Sequence, residues 1–170
     1  MKLVELEDLP KLEDIQDVPL ADPMKVYKLC QEMEALCERE NGIGLSAVQV
    51  GIPWKLFIVK SDGSCPFIEK GKYGYFANTN YKATDEELIV SLEGCLSIRS
   101  LDGQLRFFQV PRHKYVQLCG QRLYFDYKDL NFVKIDLIIS IAELGVVFQH
   151  EIDHHSAVLI SNVGKEIAVW

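Results

Sequence analysis

His150-Glu151-Ile152-Asp153-His154 is an HExxH run near the end of a long apolar segment. Apolar residues from about Asp136 to Leu159 fall on several sides of a helical wheel, so we predict a central helix over this range. On that helix the two histidines stand one turn apart on one face, with about 5–6 Å between their side-chain bases. Two imidazoles at this spacing can bind one metal ion, and the glutamate between them can reach a water molecule there. The run therefore predicts part of a metal site and a general base, Glu151.

A third protein ligand has to come from elsewhere, because catalytic zinc-type centres use three protein ligands and one open position. The metzincin pattern HExxHxxGxxH fails after His154, and downstream of the helix the remaining candidate is Glu166. The upstream candidates are His113, Cys95 and Glu93. Cys95 is the strongest of them, because one cysteine with two histidines is a recognised open catalytic set. A lone cysteine in a strand is nevertheless more often a small core residue.

The other two histidines are expected to have no role at the metal. His155 follows a predicted ligand but points about 100° away around the helix, so we predict that it lies on the surface. His113 follows Pro-Arg in a strand region, and we interpret it as structural. An HExxH run also arises by chance, but this helix is strongly apolar and should partly bury His150 and His154.

The first 40 residues are predicted to form an irregular segment followed by one helix. Residues 1–21 have six acidic and two basic side chains and contain two prolines. Asp22-Pro23 resembles an N-cap followed by proline at the first helical position. Apolar residues then recur at helical spacing until Asn41-Gly42, a typical C-terminal pair. We therefore predict a helix over residues 23–39.

The middle of the chain is rich in candidate strands. These are Trp54–Lys60, Tyr73–Tyr81, Glu87–Leu92, Arg106–Val110, Tyr115–Cys119 and Arg122–Tyr127. The last two flank Gly120-Gln121, which we interpret as a tight hairpin turn. The predicted fold class is α+β: an N-terminal helix, and mixed, mainly antiparallel β-sheets wrapped around a central C-terminal helix that carries HExxH.

Composition narrows the class of protein. The 170 residues suit one domain, 1–170, and the apolar fraction of 48% is enough for a sizeable core. The net charge of −7 and the absence of a basic block argue against a nucleic-acid partner. Five cysteines without a CxxC pair fit a reducing cytoplasm better than a disulfide framework. The acidic N-terminus is not a signal peptide, and no apolar stretch is long enough to span a membrane.

Three blocks together are highly specific. Gly42–Gly51 (GIGLSAVQVG) fits the loose dinucleotide fingerprint GxGxxG/A only weakly, because it follows a helix and precedes a strand. With Glu93–Ser97 (EGCLS) and Gln149–His154 (QHEIDH), in this order and at these distances, it resembles peptide deformylase. The resemblance covers about residues 20–160 and includes a shorter echo at Val110-Pro111-Arg112. The short stretch after the third block is similar to compact members of that family.

The resemblance implies a role at each matching position. Cys95, His150 and His154 would bind the catalytic metal, usually Fe²⁺, with Zn²⁺, Ni²⁺ or Co²⁺ able to replace it. Glu151 would act as general base and then as acid. The oxyanion would be stabilised by the side-chain amide of Gln49 and the backbone N–H of Leu96. Residues implied at the substrate are Gly44 for its backbone and, near the methionine pocket, Ile43, Glu143, Val146 and Val147.

The implied function is hydrolysis of the N-formyl group from the initiator formyl-methionine of nascent polypeptides, with release of formate. The expected partners are N-formyl-methionyl peptides and nascent chains, with transient contact to the ribosome, and the expected state is a cytoplasmic monomer. Two alternatives stay open: a zincin-type metallopeptidase with a different third ligand, and an inactive relative that only binds formylated peptides.

This chain departs from the family pattern at four places. Ser46 replaces an alanine and, if buried, needs a hydrogen-bond partner. Ser91 and Glu143 stand where apolar residues are common, which predicts a more polar or more open methionine pocket. The stretch between Cys95 and Pro111 is several residues longer than usual and predicts an extra loop near the site.

Overall fold

A computed structural model describes residues 1–126 and 129–168. The helices are α1 Pro23–Arg39, α2 Gly145–Asp153 and α3 Ile160–Val163. The strands are β1 Gly44–Ser46, β2 Leu56–Lys60, β3 Tyr73–Ala83, β4 Leu88–Arg99, β5 Leu105–His113, β6 Tyr115–Asp126, β7 Asp129–Ser140 and β8 Lys165–Ile167. The predicted strands over the middle of the chain are confirmed, apart from one hairpin described below.

The strands of the described residues form two antiparallel sheets. One has five strands in the order β1-β2-β3-β6-β7, and the other has three in the order β4-β5-β8. Every strand pairing within these sheets is antiparallel. Together with a C-terminal helix, this confirms the predicted α+β class.

Strand β2 is buried on both faces. Leu56 and Ile58 pack in the same cluster as the buried side of α1, whereas Phe57 and Val59 pack in the cluster that contains α2. Successive side chains of a strand alternate between the two faces of its sheet. The unbroken apolar run of β2 is therefore what a strand covered by a helix on each side requires.

Helix α1 has the predicted bounds. The Asp22 carboxylate accepts a hydrogen bond from the backbone N–H of Lys25 at 3.0 Å, as an N-cap should. The buried residues recur every three or four positions and lie on one face: Val26, Cys30, Met33, Leu36 and Cys37. This stripe covers one face of the five-stranded sheet.

Helix α2 lies between the two sheets, which confirms its predicted central position. Phe148 packs its ring against Phe57 and Phe76 of the five-stranded sheet, with centroids 5.7 and 4.8 Å away. On another side of the helix, His150 contacts Glu93 of β4 at 2.9 Å. Burying an aromatic ring of this kind stabilises the fold by about 1.5–3 kcal/mol.

The predicted start of this helix, near Asp136, is wrong. Residues up to Ser140 belong to β7, and the helix begins only at Gly145. Ile139 is 1% exposed and Ile138 is 64% exposed, which is the two-residue alternation of a strand. Leu144, at φ 69°, then separates the strand and its following turn from the helix. An apolar run rich in β-branched residues occurs in buried helices as well as in strands, so the composition of this segment did not distinguish the two.

The predicted hairpin at Gly120-Gln121 is also wrong, because β6 runs through it without a turn. A Cβ at Gly120 would lie 2.6 Å from the Cα of Thr79 on β3. The pairing of β3 with β6 shifts between Ala77 and Asn80, so β3 bulges towards β6 there. The glycine thus marks a close approach between strands rather than a turn. Tyr127, the end of the predicted hairpin, lies outside the described residues.

His155 is buried, contrary to its predicted surface position. Helix α2 ends at Asp153 and continues as a 3₁₀ turn over His154–Ser156, which turns the His155 ring into the core. The ring lies 5.6 Å from that of Phe57 and is 3% exposed. Burial lowers its pKa to about 4, so His155 is neutral near pH 7.

Gly145 starts α2 at a position that excludes a larger residue. A Cβ there would lie 2.5 Å from the carbonyl oxygen of Ser140. Gly145→Ala should therefore destabilise the protein by about 1–3 kcal/mol, although alanine is the better helix former. Urea denaturation measures the change. The matched control is Ala35→Gly, at an exposed position of α1, where loss of alanine should cost about 1 kcal/mol. Stabilisation by Gly145→Ala would contradict the close approach.

Candidate metal centre and adjoining cavity

Cys95, His150 and His154 converge on one point. Each of them offers a ligand atom, and these atoms lie within 4.8 Å of one another. The Cys95 Sγ and His154 Nε2 atoms are 3.6 Å apart. Two ligands of one tetrahedral zinc-type ion, at the usual bond lengths, would be about 3.5 Å apart. The buried donor set therefore fits a transition metal.

The two sheets meet at this point through α2. His150 and His154 are i and i+4 on the helix, as the HExxH run predicts. Cys95 comes from β4, where the pairing with β5 is interrupted between Gly94 and Arg99. Four residues of β4 lie there between paired positions, against one residue of β5. Such a bulge re-aims side chains beside functional sites, and here it accompanies the turn of Cys95 towards the helix.

A chain of buried charges orients His150. Its Nδ1 lies 2.9 Å from Glu93 Oε2, which leaves Nε2 for a metal. The Arg112 guanidinium donates to both Glu93 oxygens at 2.7 and 2.8 Å and to Asp153 at 2.6 Å. Asp153 also accepts a hydrogen bond from the Tyr81 hydroxyl at 3.0 Å. This network joins β3, β4, β5 and α2 directly behind the candidate metal ligands.

The pKa shifts in this network follow its contacts. Burial opposes ionisation of Glu93, but the hydrogen bonds from Arg112 and His150 outweigh burial and lower the Glu93 pKa to about 2. Burial likewise opposes a charge on His150, yet its contacts with Cys95 and Glu93 raise its pKa to about 10. Burial and the neighbouring His150 lower the pKa of His154 well below its usual value.

Glu151 lies on the wall of the same site. It is 4% exposed, and its Oε2 atom has no hydrogen-bond partner among the described residues. Burial raises its pKa to about 7, so the carboxyl can exchange a proton near neutral pH. Gly44 faces it, and a Cβ at that position would collide with Glu151 Oε1. The absence of a side chain at Gly44 leaves space for the Glu151 carboxylate.

Gln49 is held with its amide nitrogen towards Cys95. The backbone N–H of Ser46 donates to Gln49 Oε1 at 2.9 Å. Gln49 Nε2 then lies 3.4 Å from Cys95 Sγ and 3.1 Å from Ser97 Oγ. The Ser46 hydroxyl is fully buried and has the partner it needs, the carbonyl of Leu56 at 3.5 Å.

A cavity of about 300 Å³ opens beside these groups. The residues predicted to contact substrate line it, with the exception of Glu143: Ile43, Gly44, Gln49, Leu96, Val146, Val147 and Glu151. His150 lines it as well, while Cys95 and His154 lie behind the wall. Seven further residues that were not predicted to contact substrate also line it: Asn41, Gly42, Glu93, Leu92, Gly94, Leu105 and Phe107. The alternation along β4 and β5 was the available signal for the last four.

Glu143 does not line the cavity. Its carboxylate caps the turn before α2, accepting hydrogen bonds from the Ser140 N–H at 3.0 Å and hydroxyl at 2.8 Å. Ser91 is also absent from the lining and pairs with Val110 on β5. The expected extra loop is the Ser100–Gln104 turn between β4 and β5, where Leu101 is fully exposed. His113 contributes its backbone, which exchanges hydrogen bonds of 3.0 and 2.9 Å with the Gln149 amide.

Comparison with known proteins decides the family. The family described as polypeptide deformylase matches residues 2–168 of the chain. The chain belongs to the polypeptide deformylase family. It is therefore a metal-dependent hydrolase of the type that removes the N-formyl group from nascent peptides.

Curated deformylases are about 30% identical to most of this chain. Peptide deformylase 2 of Gloeobacter violaceus is 31% identical over 146 residues, covering 85% of this chain and 70% of the relative. Peptide deformylase 1 of Corynebacterium efficiens is 30% identical over 131 residues, covering 77% of this chain and 68% of the relative.

Solved deformylase structures share the fold. Arabidopsis thaliana peptide deformylase 1B in complex with an inhibitor has a TM-score of 0.71 at 26% identity, covering 96% of this chain and 81% of that one. The Acinetobacter baumannii enzyme, solved with Met-Ala-Ser bound, has a TM-score of 0.70 at 21% identity, covering 95% and 97%. Among the described residues, no helix is both long and apolar enough to cross a membrane.

Arg112→Ala should weaken both the fold and the metal site, because it leaves the buried Glu93 and Asp153 carboxylates unpaired. We expect a loss of about 3–5 kcal/mol in the free energy of unfolding. The metal affinity should fall about 10–100-fold as Glu93 ceases to be fixed behind His150. Urea denaturation and metal titration measure the two effects. The control is Arg106→Ala, which removes an exposed ion pair with Glu166 and should change neither quantity appreciably. Equal effects of the two substitutions would contradict the role given to burial.

Proposed function

We propose that this chain deformylates N-formyl-methionyl peptides at a centre where Cys95, His150 and His154 hold Fe²⁺. The observation that carries the proposal is the position of Glu151 beside that donor set, with its free carboxylate oxygen buried at the cavity wall. Zn²⁺, Ni²⁺ or Co²⁺ can take the place of iron, because imidazole and thiolate ligands suit all four ions. A divalent metal held there supplies Lewis acidity, which acidifies water and polarises a carbonyl oxygen.

Glu151 moves the proton in this proposal. Its carboxylate accepts a proton from the attacking water, whose oxygen bonds to the formyl carbon. As the C–N bond breaks, Glu151 donates the proton to the leaving amine, and the products are formate and a free N-terminus. Burial at the cavity wall raises the Glu151 pKa above the usual range of a carboxyl, which suits a group that both accepts and donates the proton.

Two donors stabilise the negative oxygen that develops on the formyl group. The first is the Gln49 amide, which Ser46 holds in place through Gln49 Oε1. The second is the Leu96 backbone N–H, which lies in the bulge where β4 leaves the β5 ladder. A prepositioned donor of this kind is typically worth about 10²–10³ in rate.

The cavity accommodates the methionine side chain. Ile43, Val146 and Val147 give it an apolar wall, and Leu105 and Phe107 of β5 add to it. Gly44 places backbone next to Glu151 without a side chain between them, so the peptide backbone can bind at that point. Glu143 lies outside the cavity, so its carboxylate is not part of the wall of this pocket.

The cellular location of the reaction follows from its substrate. Nascent formylated chains occur where translation occurs, so we place the reaction in the cytoplasm, with transient contact to the ribosome. We further propose that residues 1–170 form one catalytic domain that works as a monomer. The core clusters support a single domain, because β2 contributes to clusters on both faces of its sheet.

The proposed function predicts formate release from formyl-Met-Ala-Ser by anaerobically prepared, metal-replete protein. Formate dehydrogenase coupling measures the rate, and metal analysis should give one ion per chain. Cys95→Ala should lose both the bound ion and formate release. Cys119→Ala, which replaces an exposed cysteine on β6, should keep both. If the protein instead cuts internal peptide bonds, or keeps its metal without Cys95, a peptidase with another third ligand is the better description.

Glu151→Ala should retain the metal and lose turnover, because Glu151 moves the proton and is not among the three ligands. We expect a fall in kcat of at least about 10²-fold, at the low end for a general base. Metal analysis and formate release are measured on the same sample. Glu38→Ala, which removes an exposed carboxylate from α1, is the control and should leave both unchanged. A turnover close to that of the unchanged protein would refute the proton-transfer role of Glu151.

A further inference from the structure

Strand β7 leaves one edge of the five-stranded sheet open. It is the last strand of that sheet, and among residues 1–126 and 129–168 only β6 pairs with it. The β6–β7 register, continued by one residue, places Lys114 opposite Ile141, and the Ile141 N–H donates to the Lys114 carbonyl at 3.0 Å. Because hydrogen-bonded positions alternate along antiparallel strands, the odd-numbered residues of β7 bond to β6. The even-numbered residues therefore direct their N–H and C=O groups towards the open edge: Leu130, Phe132, Lys134, Asp136, Ile138 and Ser140.

The open edge carries exposed apolar side chains and one charge of each sign. Ile138 is 64% exposed and Val133 is 47% exposed. Lys134 and Asp136 are also exposed, and they lie on one face of the strand because they are two residues apart. A lysine in an edge strand normally opposes pairing with another strand. Pairing at this edge is therefore favourable only where Lys134 meets an acidic group.

One antiparallel register of two β7 strands meets this condition. When Ile135 lies opposite Ile135 of a second copy, each Lys134 lies opposite Asp136 of the other copy. The smallest slip that keeps the outward groups aligned is two residues. Such a slip places Lys134 opposite itself in one direction and Asp136 opposite itself in the other. Like charges directly opposite each other are destabilising, so the two charges select the register centred on Ile135.

The same register covers the exposed apolar side chains. Ile138 of each copy lies opposite Phe132 of the other, and Val133 lies opposite Leu137. Phe132 and Leu137 already pack against the core clusters, so each exposed side chain gains an apolar neighbour. Cross-strand pairs of apolar residues and of opposite charges both stabilise a sheet. The register also overlaps residues 130–140 of both copies, which is nearly the whole of β7.

We propose that two copies of this chain pair through the open edge of β7, antiparallel and centred on Ile135. Their two five-stranded sheets then join into one sheet of ten strands. The contact is isologous and uses both β7 edges, so it closes at a dimer and does not grow into a fibre. None of residues 129–140 belongs to the candidate donor set or lines the cavity. The catalytic unit therefore remains one chain, with its own complete site.

Charge reversal tests the register. Sedimentation equilibrium of the full chain, from about 1 µM to about 1 mM, should show a monomer and a dimer in equilibrium. Lys134→Glu places like charges opposite each other twice in each dimer, so the dissociation constant should rise at least about tenfold. Adding Asp136→Lys to this variant restores both pairs with the signs exchanged and should recover the dimer.

The control for this experiment is Lys11→Glu, which makes the same charge change at an exposed residue of the N-terminal segment and should leave the dimer intact. Three results would overturn the inference. They are a chain that stays monomeric up to about 1 mM, a double variant as weak as Lys134→Glu alone, and an equal loss in the control.

Cross-linking tests the centre of the contact. Ile135 would form a non-hydrogen-bonded pair with itself, with Cα atoms about 4.5 Å apart, which a disulfide can span. In a Cys119→Ala background, which removes the exposed native cysteine, Ile135→Cys should form an intermolecular disulfide under mild oxidation. Val133→Cys is the matched control, because the two copies of residue 133 would lie about 13 Å apart along the strands. Equal linkage of the two variants would contradict the register.

Specific activity tests whether the two sites are independent. Formate release per chain should be equal below and above the concentration at which the dimer forms, and Lys134→Glu should not change it. A rate per chain that rises with dimer formation would overturn the independence of the two sites. The sedimentation and cross-linking results do not depend on formate release, so a failure of the proposed function and a failure of the dimer are distinguishable.

Discussion

The Arg112 guanidinium is the contact on which the rest of the site depends. It is 3% exposed and bonds to Glu93 on β4 and Asp153 on α2, while its own strand is β5. A buried cation of this kind is tolerated only when it is fully paired. Glu93 and Asp153 must both stay in contact with the guanidinium, because loss of either contact would leave buried charge uncompensated. Through Glu93 the constraint reaches His150, so the orientation of a proposed metal ligand is fixed by an ion pair between elements.

Helix α2 satisfies two sets of demands at once. Phe148 and Ile152 face the aromatic core of the five-stranded sheet, while His150 between them in sequence faces β4. Gln149 adds a third attachment, because its amide bonds to both the N–H and the carbonyl of His113 on β5. A helix of nine residues is too short to be stable alone. These contacts explain why it holds its place between the sheets.

Much of the site was predictable, because it is encoded locally. The i, i+4 histidines and the capped start of α1 follow from spacing and local chemistry alone. The third ligand needed the resemblance of Glu93–Ser97 to a known family, since spacing left several candidates. The predictions that were wrong concern features that depend on tertiary contacts. The strand nature of residues 136–140 depends on pairing with β6, and Gly120 has its role through the bulge of β3. Nothing in the local pattern of Val110-Pro111-Arg112 shows that the arginine bonds across two elements.

His155 makes the fold sensitive to mild acid. Its pKa is about 4 in the folded chain against an ordinary value of 6.5, so the unfolded chain binds a proton over a range in which the folded chain does not. Stability therefore rises with pH across this interval and declines as pH falls from 6.5 towards 4. A difference of this size corresponds to roughly 3 kcal/mol, a large share of the stability of a small domain. One aromatic-packed imidazole, with no catalytic duty, thus makes the folded chain less stable in mild acid, as the buried His154 does through its own lowered pKa.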